Sequence, residues 1–213
     1  MPRKLDLYAR AMQLSLENAE HWVEDAKLLA GNFSFGHATA LLRFACEETA
    51  KAHVCWLTSE KIIPTENKVI LDVFRYHGAK NSIILSTLLI MAFLGDNHLK
   101  QKIDKESLEL SEEKIVESYE MFEEALVSTD KMRQKAMYVD VNLEDNNVET
   151  PLTIEEKEAK AILRVAETFL KIVRYHVEKS SEMDKAELRK VYSSIPKEGW
   201  KTGQISIAWI LTK

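Results

Sequence analysis

Tyr8, Met12, Ser15, Ala19, Trp22, Ala26 and Leu29 recur at alternating steps of four and three, so they share one side of the chain's opening segment. That period predicts a long packed helix. The run GNFSFG, residues 31–36, ends it and starts a second helix that reaches about Lys61. Pro64 breaks the chain, and a third helix is expected from about Glu66 to Leu94, stopped by Gly95 and Asp96. The polar stretch from Asp104 to Ser111 offers Ser107 and Ser111 as caps for a fourth helix. That helix carries Ile115, Tyr119, Phe122, Leu126, Thr129, Arg133 and Ala136 on one seam.

VNLEDNNVETP, residues 141–151, reads as an acidic, turn-rich loop. Thr153 and Glu156 are spaced as a capping box for a fifth helix to about Lys179, with Ala159, Ile162, Ala166, Phe169, Val173 and His176 on its seam. A short sixth helix is expected over Asp184 to Tyr192. In the tail GWKTGQISIAWILTK, Ile205, Ile207 and Trp209 alternate, which predicts extended chain. The pattern predicts an all-α fold, an up-and-down helical bundle of about five long helices with a short sixth helix and an extended C-terminal tail. Residues 1–193 form the bundle, and residues 194–213 are a tail that docks on it or on a second subunit.

Composition narrows the picture. A chain of 213 residues with 46% hydrophobic and 30% charged residues makes one domain with a sizeable core, and 6 Gly with 4 Pro are too few for an all-β fold. The net charge of −5 argues against broad binding to nucleic acid or an anionic membrane. Cys46 and Cys55, nine residues apart on one helix, lie roughly 13 Å apart along the axis and cannot bridge each other. Unbridged cysteines suit a reducing compartment. MPRKLDLYAR lacks a signal-peptide core, and IILSTLLIMAFL, residues 83–94, is shorter than the ~20 residues needed to cross a bilayer. These features predict a cytoplasmic protein without a membrane anchor. The apolar third helix and the tail predict a homodimer.

The chemistry concentrates where charge enters the seams. From Ala38 to Leu57, 13 of 20 residues are apolar, yet Arg43, Glu47, Glu48, Lys51 and His53 sit inside the run. Glu48 shares a row with Ala38, Leu41, Ala45, Ala52 and Cys55, a core-type position. Arg43, Glu47 and Lys51 form a second row, readable either as a surface ladder of alternating charge or as part of a buried cluster. His77 and Lys80 interrupt the apolar stripe of the third helix, and Arg133 that of the fourth, followed by Tyr138 and Asp140. Buried charges are costly unless they meet one another, so the carboxylates are expected to face cations of neighbouring helices. Such a cluster either fixes helix register or binds a phosphate and moves protons. In RNA cleavage Lys80 or Arg133 would stabilise phosphorane charge while His77 or Glu48 handled the 2′-hydroxyl proton.

A di-iron bundle would need Glu-x-x-His twice, but Asn18, Ser34, Ala50, Phe74, Gly95 and Val173 occupy the positions three before the six histidines. No metal and no cofactor is therefore expected. His21, His37 and His98 read as solvated, His53 and His176 as locally satisfied, and Trp22 and Trp56 as core.

Three segments in order, ACEETAKA (45–52), FRYHGAK (74–80) and RQKAMYVD (133–140), resemble the AbiV family of bacterial abortive-infection proteins. In that family a Glu-Glu pair precedes a Lys, the next helix carries Phe-x-x-His-x-x-Lys, and a later one ends in Tyr-Val-Asp. The patterns fall here on Glu47, Glu48, Lys51, Phe74, His77, Lys80, Arg133, Tyr138 and Asp140. The family is similar in turn to the HEPN class of helical proteins, many of them dimeric ribonucleases with an Arg and a His separated by four to six residues. No Arg of this chain has a His at that spacing.

The resemblance implies an abortive-infection, phage-resistance protein that binds a phage or host component. The charged cluster would then include Glu47, Glu48, Lys51 and Asp140. One alternative is a divergent HEPN-like ribonuclease, metal-independent, with His77, Lys80, Arg133 and Tyr138 as its catalytic group. The other is a nucleotide- or metabolite-binding regulator. Partners under these readings are a phage or host protein, or RNA.

Overall fold

The computed structural model describes residues 2–64, 68–75, 80, 136–142 and 147–194. The first helix, α1 (Pro2–Gly31), turns back through residues 32–34 into α2 (Phe35–Ser59). In that turn the Ser34 N–H donates to the Leu29 carbonyl at 2.9 Å, and Asn32 Nδ2 donates to the Leu28 carbonyl at 2.8 Å. Phe33 takes the left-handed conformation, φ 61°, with its ring exposed. So short a connection makes α1 and α2 antiparallel neighbours.

Next come α3 (Lys68–Arg75), a two-stranded hairpin of β1 (Asp140–Asn142) and β2 (Asn147–Glu149), and a 3-10 turn at Pro151–Thr153. The longer helix α4 (Glu156–Glu178) and the short α5 (Lys185–Ser194) follow. Among the described residues the fold is all-α apart from the hairpin. Among the described residues, no helix is long and apolar enough to cross a membrane.

The core lies where α1, α2 and α4 pack together. On α1, Ser15, Ala19 and Ala26 are buried, joined by Leu16 and Val23, while Tyr8, Met12, Trp22 and Leu29 pack partly buried against them. On α4 the six seam residues Ala159, Ile162, Ala166, Phe169, Val173 and His176 are all buried, with Ile172 beside them. Lys27 of α1 bridges to Glu167 of α4 at 2.9 Å, and Arg174 of α4 pairs with Glu20. Half-exposed pairs of this kind add little to stability, so the apolar seams hold the three helices together.

The residues between Lys80 and Ala136, which include the expected fourth helix and its caps, lie outside the described residues, as does the tail. Residues 141–151 are not simply a loop. Asp140 pairs with Glu149, Val141 with Val148 and Asn142 with Asn147, antiparallel. Strands of three residues are too short for alternation to announce them in a sequence.

The expected capping box at Thr153 and Glu156 is displaced. Thr153 belongs to the 3-10 turn, where its hydroxyl donates to the Thr150 carbonyl at 2.8 Å. The N-terminus of α4 is capped two residues later, where the Glu155 N–H donates to the Glu158 carboxylate at 2.7 Å. This 3-10 turn rests on the start of α2. A Cβ added to Gly36 would lie 2.2 Å from the Pro151 carbonyl oxygen, so only glycine admits the approach.

Candidate functional site

The centre of the bundle is α2, and its sequence explains why. Alanine or another small residue occupies much of its circumference, so neighbouring helices come close from several directions. Ala38, Ala45, Ala50 and Ala52 are all buried. Buried hydroxyls on this helix bond within it: Thr49 and Thr58 each donate to the carbonyl four residues back, at 2.8 Å.

Into this apolar setting α2 brings Arg43 and Glu47, both buried. The Glu47 carboxylate accepts from Lys80 Nζ at 2.8 Å, and the two side chains are only 10% and 8% exposed. Lys80, in helical conformation five residues beyond the described end of α3, thus reaches across to α2. A pair this enclosed sits in a low dielectric and exchanges little with water. The surface-ladder reading of the Arg43–Glu47–Lys51 row does not hold for its first two members.

Glu48 takes a different partner from the one its row suggests. It pairs with Lys51 on its own helix at 2.5 Å, both side chains about one-fifth exposed. The carboxylate that meets the neighbouring helix is Glu47, one position earlier. Val73, on the same stripe as Lys80, is fully buried, whereas Phe74 is exposed. Tyr138 is 56% exposed, with Val139 exposed beside it at the foot of the hairpin. His77 and Arg133 lie outside the described residues, and Asp140 is described only as the first residue of β1. Of the residues singled out from sequence, the structure therefore joins Glu47 to Lys80 and Glu48 to Lys51.

The same helix buries two thiols. Burial pushes the Cys46 thiol up to about 11, with Arg43 pulling the other way, and the Cys55 thiol up to about 12. Both cysteines are free, buried and far from a reactive thiolate.

One group escaped the sequence reading. His53, Trp56, His176 and Tyr192 gather at the far end of α2, with His53 Nε2 2.8 Å from Tyr192 Oη. His176 was visible as a seam position of α4. No periodicity could tie it to His53, or either to Tyr192. Among the described residues, no three metal-ligating side chains gather as a metal site.

Comparison with known proteins adds one finding. The HEPN_AbiV family model, described as AbiV, matches residues 7–171, which spans most of α1, all of α2, the charged segments, the hairpin and most of α4. No curated protein and no solved structure matches the chain.

Proposed function

Because the chain belongs to the AbiV family of HEPN proteins, we propose that it is a phage-resistance protein that acts by binding a phage or host protein. In this reading the Glu47–Lys80 pair fastens α2 to the α3 side of the bundle and takes no part in chemistry. The observation that carries it is the enclosure of that pair. Each charge already has its counter-charge at 2.8 Å and almost no water contact, so neither is presented to a ligand. A ribonuclease would need the same groups open to a phosphate.

Exposed apolar side chains lie elsewhere, on the hairpin and its flanks. Tyr138, Val139, Val148 and Leu152 face solvent, chemistry suited to protein contact. The absence from the sequence of an Arg and a His at HEPN nuclease spacing supports the same side.

The test is a phage-challenge assay of the wild type beside the double variant Glu47→Leu/Lys80→Met, with folding checked by thermal melting and RNA cleavage followed in parallel. Retained folding with retained protection is the expected result. A folded double variant that loses both protection and a wild-type RNA-cleaving activity would overturn the binding reading in favour of the nuclease.

A further inference from the structure

At the end of α2 remote from the Gly36–Pro151 approach, four rings from three helices close on one another. His53 of α2 is fully buried, and Trp56, His176 and Tyr192 are nearly so. The His53 and His176 rings lie 5.6 Å apart, His176 stacks on Trp56 at 5.1 Å, and His53 Nε2 shares a hydrogen with Tyr192 Oη. Trp56 Nε1 donates to Ser180 Oγ at 3.2 Å, fixing the indole. Tyr192 is the contact by which the last turns of α5 join this cluster. The earlier part of α5 is held separately, through the Lys185–Glu60 ion pair and through Arg189 Nε donating to the Lys61 carbonyl at 3.0 Å.

We propose that the His53–His176–Tyr192 cluster is an acid-released latch, which holds the end of α5 on the α2–α4 surface while the His53 imidazole is neutral and frees it when that ring takes up a proton. The geometry supplies the reason. His53 Nε2 is committed to Tyr192, and Nδ1 is buried without a hydrogen-bond partner among the described residues. In either tautomer an added proton creates a dehydrated cation with at most one bond.

The groups facing His53 do not relieve that cost. Its own helix presents Trp56 and α5 presents Tyr192. From α4 comes His176, with the Tyr175 ring 6.4 Å behind it. Burial first, and the neighbouring His176 second, hold His53 well below its ordinary 6.5. No carboxylate among the described residues acts on it. The cheapest escape for a protonated ring is water, and the small helix α5 is the element that moves aside to admit it.

The sign follows from linkage. A base whose folded-state pKa is depressed leaves the closed form fully favoured above about pH 6.5. The closed form then weakens as pH falls below that value toward the depressed one. Each unit of that fall raises the open-to-closed ratio up to about tenfold through His53, so pH 5.0 gives about thirtyfold over pH 7.5.

Hydrogen exchange on the full chain at pH 7.5 and 5.0, corrected for intrinsic rates, reads this directly. Residues 190–194 are expected to lose about thirtyfold in protection at pH 5.0, while the buried middle of α1 changes by less than about threefold. Tyr192→Phe is expected to loosen α5 already at pH 7.5. In His53→Gln/His176→Phe, the pH response of α5 is expected to vanish. Equal α5 protection at the two pH values in the wild type, or an undiminished response in the double variant, overturns the latch. Should the double variant not fold, ring-proton NMR of the wild type decides. Titration of His53 at or above 6.5 overturns the proposal, and titration below supports it.

Discussion

Replacing Lys80 with Met removes the cation opposite Glu47 and keeps a stem of similar length. The wild-type pair lies at 2.8 Å with side chains 8% and 10% exposed, so water cannot readily replace the lost ammonium. Removing one partner of a buried pair costs about 3–5 kcal/mol. For a chain of this size each kcal/mol moves the melting temperature by about 2–4 °C, which predicts a fall of about 6–20 °C.

Glu47→Leu/Lys80→Met removes both charges at once and is expected to melt within a few degrees of the wild type, because an apolar replacement of a buried pair is commonly neutral or stabilising. Calorimetry on the wild type, both single variants and the double variant closes the cycle. A fall of less than about 2 °C for Lys80→Met would refute the reasoning, since losses that small belong to solvated surface pairs. So would a double variant as unstable as the worse single one.

Two other outcomes follow from contacts in the same region. Gly36→Ala would drive a methyl group into the Pro151 backbone, 2.2 Å from its carbonyl oxygen, and should cost about 1–3 kcal/mol in urea unfolding. An unchanged midpoint would mean that the approach is not held in solution. Cys46 and Cys55, buried and raised to about 11 and about 12, should resist iodoacetamide at pH 8 in the folded protein and take up label only in denaturant, as read by intact mass. Rapid labelling of the native chain would contradict their enclosure.

The helices that border solvent were the most legible parts of the sequence. On α4 one side is polar, so the period of its apolar residues picks out the six seam positions that are buried. On α2 the same reasoning loses its grip, because a helix packed on nearly all sides has no polar face to set the phase. Spacing alone therefore puts Glu48 in the core row, while the carboxylate that reaches the neighbouring helix is Glu47. The hairpin escaped because its strands are three residues long and rich in Asn, Asp and Glu. The ring cluster escaped for a different reason. His53 and Tyr192 are 139 residues apart, and a pairing that distant leaves no local mark in a single sequence.

That separation bears on how the protein is made. Ribosomes add about 5–20 residues per second, so His53 emerges about 7–28 seconds before its tyrosine partner exists. Trp56 waits almost as long for Ser180. For most of that interval α2, an apolar helix packed on nearly all sides, has α1 for company but neither α4 nor α5, leaving Trp56, Leu57 and Val54 open to chaperones or to other nascent chains. Yield in cells should accordingly depend on translation speed between α2 and α4, and a message with rare codons placed there should give less soluble product from an unaltered amino-acid sequence.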